Sequence, residues 1–139
     1  MHEALSQATS VYFPDPALAT AGIHFAKVLR ALDLYDALES RLRPYPNGAA
    51  AMTALAKARD RRPIGCTQIS EIAYTPGVTL AGPLPQRFAL ATRYDAAVAR
   101  RAQNASLGEA FVALLGAPYT RALRAGAGFQ EESDANSVA

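Results

Sequence analysis

Three places in this 139-residue chain bring together residues that can hold an anion without a formal cation: Thr20-Ala21-Gly22, Asn47-Gly48 and Gln68. Each lies where an extended piece gives way to a helical pattern. A helix start carries unpaired backbone N–H groups and a partial positive charge. Together these accept a carboxylate or an oxyanion. Glycine at 22 and 48 removes the side chain that would hold a ligand away from the backbone, and Gln68 offers an amide donor. A plainer role competes. Thr20 and Asn47 also suit helix caps, and the glycines suit turns. Spacing alone favours that plainer role.

Other reactive types lack partners. Asp15 stands between Pro14 and Pro16, where an aspartate normally bonds its own turn. His24 has no second histidine or acid at metal-ligand spacing, so no metal is expected. Cys66 is the single cysteine, set in the apolar run Pro63-Ile64-Gly65-Cys66; it reads as a small strand residue rather than a nucleophile. Ser70-Glu71 has no third member for a nucleophile–base–acid arrangement. No glycine-rich dinucleotide or phosphate loop is present, and no cofactor is expected.

The elements that must position these residues alternate between strand and helix. Ser10-Val11-Tyr12-Phe13 reads as a strand stopped by Pro14-Asp15-Pro16. Thr20 can cap a helix over 21–32, with Phe25, Val28, Leu29 and Leu32 on one face. A helical piece over 35–42 and an extended Arg43-Pro44-Tyr45-Pro46 follow. Asn47 can cap a helix over 48–59 that turns Met52, Leu55 and Ala56 inward. The spacing then gives a buried strand over 64–67, a short helix over 68–73, and strands over 78–81 and 88–94. Ser106 can cap a helix over 107–115 with Leu107, Phe111, Leu114 and Leu115 on one face, and Pro118 opens a last helix. The first seven or eight residues and the polar tail from Gln130 read as poorly ordered. Such alternation implies an α/β fold: a mixed, mostly parallel sheet with helices on both faces.

Composition sets the outer limits. Half the residues are hydrophobic and 19% are charged, so the chain can build a core. The net charge of +2 gives no basis for nucleic-acid binding or attraction to an anionic membrane. The pairs Arg61-Arg62 and Arg100-Arg101 read as solvated faces. No segment approaches the roughly 20 apolar residues of a membrane span. The opening Met1-His2-Glu3-Ala4-Leu5 is not a secretory signal, so the chain as written reads as cytoplasmic.

Four segments carry more than spacing. The run from Asp15-Pro16 through Ala21-Gly22-Ile23 to Leu29 resembles the "DP…AGI.A…L" segment that opens the second lobe of periplasmic molybdate-binding proteins. Pro63-Ile64-Gly65-Cys66-Thr67-Gln68-Ile69-Ser70-Glu71-Ile72 is similar to that family's strand-to-helix segment in the branch reading "QQ.SEI". Pro76-Gly77-Val78-Thr79-Leu80-Ala81-Gly82-Pro83-Leu84-Pro85 resembles its "PGVELVGPLP". Ala117-Pro118 through Gly128-Phe129 resembles its closing "SP.A…L…G". The four occur in family order.

The resemblance implies a type II periplasmic-binding fold in truncated form. Residues 9–86 would form the second lobe, 87–129 the segment returning to the first lobe, and 130–139 a disordered tail. In such proteins a tetrahedral oxyanion is held by backbone N–H groups and hydroxyls of both lobes. The second-lobe positions fall here on Ala21, near Gly48, and on Gln68, where the molybdate binders carry tyrosine. The first-lobe segment with its serine hydroxyls has no counterpart. The resemblance thus implies a module for a small anion, oxyanion or carboxylate, related to the binding subunit of a molybdate importer and not a competent molybdate binder alone. A permease partner would follow only for a full-length form, and the family's own location is periplasmic.

Two other function classes remain. One is a non-transport protein acting through self-association: the apolar face of 107–115 and the edge of the 88–94 strand would lack cover, which points to a homodimer. The other is an enzyme on the old cleft using Asp15, His24 or Gln68, for which no constellation speaks beyond proximity.

Overall fold

A computed structural model describes residues 1–130, so the sequence expectation for the tail beyond Gln130 lies outside the described residues. The chain forms two compact units, Met1–Leu90 and the stretch from Ala91 onward.

The first unit is built on β1 (Ser10–Pro14), which is buried along its whole length. Burial of every residue, with only Ser10 polar and its hydroxyl donating to the Asp60 carboxylate at 2.6 Å, suits a strand covered on both faces. β2 (Leu42–Tyr45) and β3 (Pro63–Gly65) pair with it in parallel, in the order β2-β1-β3. Tyr12 lies opposite Arg43 on one side and Gly65 on the other. The Cys66 N–H continues the ladder onto the Tyr12 carbonyl at 3.0 Å.

Alternate residues of β1 serve opposite faces. Val11 and Phe13 join Phe25, Val28 and Leu29 of α2 (Thr20–Ala31) in one core with Leu5, Leu34 and Leu38. The Phe13 and Phe25 rings meet edge to face, 5.6 Å between centroids. Each such side chain stabilises the fold by roughly 1.5–3 kcal/mol on burial. α3 (Gly48–Ala56) buries Ala51 and Met52 apart from that cluster and packs on β1 and β3. A Cβ at Gly65 would meet the Met52 and Leu55 side chains at 2.6 Å, so glycine there lets α3 lie close to the sheet. The result is an α/β unit with helices on both faces of a parallel sheet, as the alternation of elements implies.

Several sequence expectations need correction. The first residues are not frayed: α1 (His2–Ser6) buries Leu5, and the Arg41 guanidinium donates to the Ser6 and Ala8 carbonyls at 3.0 and 2.9 Å. Residues 35–42 do not form a helix; only a 3-10 turn, Glu39–Arg41, appears. α2 stops before it, because Asp33 adopts φ 57°. Asp33 N–H bonds Arg30 O at 3.0 Å and Leu34 N–H bonds Leu29 O at 2.9 Å, the two closing bonds of a left-handed helix stop. Leu34 then turns back into the core.

The strands expected over 78–81 and 88–94 do not form. Gly77 adopts φ 87° and Gly82 φ 155°, and prolines follow at 83 and 85. Residues 86–88 make a 3-10 turn instead. Leu84 and Phe88 pack against the main core, and the Phe88 carbonyl lies 2.8 Å from His24 Nε2. Side-chain burial has replaced strand pairing.

The second unit contains α5 (Ala105–Gly116), a 3-10 turn at Pro118–Thr120 and α6 (Arg121–Gly126). Asn104, not Ser106, caps α5: its side chain accepts from Leu107 N–H at 3.0 Å. Arg124 closes the helix pair by donating to Leu115 O at 2.8 Å and Ala117 O at 3.0 Å. The apolar face of α5 stays open, with Leu107 67% and Phe111 57% exposed.

Candidate functional site

All three strands run the same way, and a helix follows each: α2 after β1, α3 after β2, and α4 (Ile69–Tyr74) after β3. Parallel order therefore brings the starts of all three helices to the carboxyl edge of the sheet. In open α/β sheets this is where ligands bind. Thr20, Ala21, Gly22, Asn47, Gly48 and Gln68 all belong to this edge.

Each position has its own geometry. Thr20 is the first residue of α2 rather than its cap; Ala19 holds the cap position in extended backbone, with no side-chain bond. The Thr20 hydroxyl is thereby not committed to closing the helix, and Thr20 is exposed. Gly22 is buried where α2 crosses the end of β1. A Cβ there would run into the backbone carbonyl oxygens of Pro14 and Asp15. Those carbonyls are fixed in turn by the Asp15 carboxylate, which accepts from Ala17 N–H at 2.7 Å and Leu18 N–H at 2.9 Å. Asp15 is committed to its turn.

Asn47 does cap α3: its side-chain oxygen accepts from Ala50 N–H at 2.8 Å. Gly48, the first residue of α3, is buried. A Cβ on it would strike the Glu71 carboxylate and the Thr67 hydroxyl. Thr67 Oγ1 in turn donates to Glu71 Oε2. Gln68 occupies the cap position of α4, in extended backbone at φ -62°, ψ 142°, without a side-chain cap bond.

Glu71 and Thr67 are the members of this edge that residue spacing missed. The signal was a threonine four residues before a glutamate, placed so that one side chain sits just ahead of a helix and the other in its first turn. Cys66 adjoins the edge, and burial pushes its thiol from 9.0 up to about 12, which keeps it protonated and unreactive at neutral pH. His24 is tied to the Phe88 carbonyl. Among the described residues no group of three or more histidine, cysteine, aspartate or glutamate side chains is placed to hold a metal ion.

A parallel sheet with backbone donors gathered at its carboxyl edge is an architecture for binding, and comparison with known families gives the same direction. The family model described as bacterial extracellular solute-binding protein matches residues 1–130. The chain belongs to that family. Its four molybdate-binder-like segments all begin inside the matched span, so the resemblance and the family agree at the level of solute binding. Comparison with curated proteins and with solved structures gave no match. The family is extracellular by description, and among the described residues no helix is long and apolar enough to cross a membrane.

Proposed function

We propose that this solute-binding module takes a small anion, an oxyanion or a carboxylate, at the carboxyl edge of its sheet, without catalysis. The observation that carries the reading is that the three helix starts all lie at the carboxyl edge of the parallel sheet. The amides of Thr20, Ala21 and Gly22, with the Thr20 hydroxyl, are the donors least committed elsewhere. Asn47-Gly48 and Gln68 lie along the same edge and border the site, Gly48 being covered there by the Glu71 carboxylate. Molybdate itself is bound weakly by this chain, because Gln68 differs in reach from a tyrosine hydroxyl. An importer permease enters as a partner only if this chain works as part of a complete two-lobed binding protein.

Thermal unfolding in the presence of molybdate, sulfate, phosphate and acetate tests this. A ligand of the native state alone must raise the melting temperature by mass action. A rise that grows with the concentration of at least one of these anions, absent with a matched chloride series, is expected. Equal melting temperatures in all series would contradict the reading.

A second reading rests on the C-terminal unit. Leu107, Phe111, Leu114, Leu115, Tyr119 and Leu123 are all exposed, Leu123 at 75%. An apolar face of this kind promotes association. We propose that a second copy covers it, as a two-fold homodimer burying more than roughly 1,000 Å² in total. Sedimentation at micromolar concentration is the check, and a well-folded monomer would overturn it.

A further inference from the structure

We propose that residues 84–88 form a releasable clasp that sets the length of the tether joining the two units. The proposal is independent of what the sheet edge binds. Leu84 and Phe88 are half-buried and pack against the main core, although no strand forms here. His24 of α2 pins the end of the clasp: its Nε2 lies 2.8 Å from the Phe88 carbonyl oxygen. A carbonyl can only accept, so Nε2 carries the proton and donates it. The turn itself is closed by Phe88 N–H on Pro85 O at 2.7 Å and by Ala89 N–H on Gln86 O at 3.0 Å. The Arg87 guanidinium lies 4.7 Å from the centre of the Phe88 ring.

The backbone loses its partners just past this clasp. Among the described residues, the amides of Leu90, Ala91 and Thr92 bond no backbone carbonyl, and all three residues are exposed. The division into compact units falls between Leu90 and Ala91. Further on, Tyr94 meets Phe129 edge to face, 5.6 Å between centroids. The tether with the clasp closed is therefore the short stretch 89–92. Ahead of the clasp, Gly82 adopts φ 155°, and a Cβ there would meet nothing within 4 Å, so the backbone can pivot at that point. Half-buried anchors flanked by chain outside any helix or strand open at lower free energy than the core. Release adds 83–88 to the tether and, at about 3.5 Å per residue, lengthens its reach by roughly 20 Å. His24 is the positioning residue, because it decides how firmly Phe88 is held.

Hydrogen exchange of the whole chain, read amide by amide, tests the clasp. In the wild type the Phe88 and Ala89 amides should exchange at least about tenfold more slowly than those of Ala91 and Thr92. His24→Ala should speed exchange at Phe88 and Ala89 by at least about tenfold while the Leu29 and Cys66 amides stay protected. His24→Gln, which keeps a donor, should restore the protection. Fast exchange at Phe88 in the wild type, or no change in His24→Ala, overturns the proposal. If His24→Ala loses the core amides as well, Phe88→Ala removes the anchor from outside α2 and must speed exchange at Ala89 in the same way. Spin labels at Leu18→Cys and Tyr119→Cys, both exposed positions, read the tether. Phe88→Ala should broaden the distance distribution toward longer values. Identical distributions with and without the anchor would show that the clasp does not limit the reach, and the proposal would fall.

Discussion

Replacing Gly22 by alanine sets two known effects against each other. Alanine improves helix propensity over glycine by about 1 kcal/mol in a helix interior. Against this, its Cβ meets the carbonyl oxygens of Pro14 and Asp15, which are backbone atoms. They cannot rotate away as a side-chain tip would. Pro14 ends the central strand, and Asp15 is locked by its bonds to Ala17 and Leu18 N–H and by Ala19 N–H on its own carbonyl at 3.1 Å. Relieving the overlap requires α2 to lift from β1 and so to loosen Phe25 against Phe13. Overpacking of this sort costs typically about 1–3 kcal/mol, and forced backbone shifts fall toward the upper part of that range. The propensity gain is realised only in part in the first turn, so the clash wins, with a net loss of about 1–2 kcal/mol. In a unit the size of Met1–Leu90 each kcal/mol corresponds to about 4–8 °C in melting temperature. Thermal unfolding followed by circular dichroism would measure it. A Gly22→Ala variant as stable as the wild type, or more stable, would refute the close crossing of α2 over β1, and with it the positioning of the Thr20-Ala21 amides.

Three further outcomes follow from the same structure. Phe13→Ala removes a ring from the centre of the core and should cost about 3–5 kcal/mol in urea denaturation, whereas Leu18→Ala, at an exposed position, should change stability little. Asn47→Ala loses the cap bond to Ala50 N–H and should cost about 1 kcal/mol by the same assay. Cys66 should resist a thiol reagent at pH 8 in the native chain and react after unfolding. Because its folded pKa of about 12 lies above the ordinary 9.0, the native state holds the proton more tightly. Stability should therefore be at its full value below pH 9 and fall as the pH rises from 9 toward 12; flat stability across that window would contradict the burial of the thiol.

The parts of the fold legible from the chain were those fixed by local chemistry and by apolar patterning within one element. The run Val11-Tyr12-Phe13 before Pro14-Asp15-Pro16, the face Phe25-Val28-Leu29 and the cap at Asn47 each act through neighbours close in sequence. What stayed hidden depends on distant partners. Leu5 gains its helix because Arg41, far along the chain, holds the carbonyls after it. Residues 78–81 and 88–94 have strand-like composition, but no strand forms there, and Leu84 and Phe88 pack against a core built from distant residues. Helical pattern over 35–42 was overridden by a helix stop at Asp33, an aspartate in a conformation more usual for glycine. At the candidate site the same division holds. Helix starts and their glycines were readable, because capping and turn chemistry are local. Glu71 was not, because its meaning comes from Gly48 on a neighbouring helix.

The central claim is that the carboxyl edge of this sheet binds a small anion through the first amides of α2. Amide chemical shifts of the isotopically labelled chain, followed during titration with sulfate, molybdate and acetate, test it most directly. The expected result is a saturable shift of the Thr20, Ala21 and Gly22 N–H resonances, with a smaller response at Gly48 where Glu71 already sits. Shifts confined to other parts of the chain, or none at these residues with any of the three anions, would contradict the account.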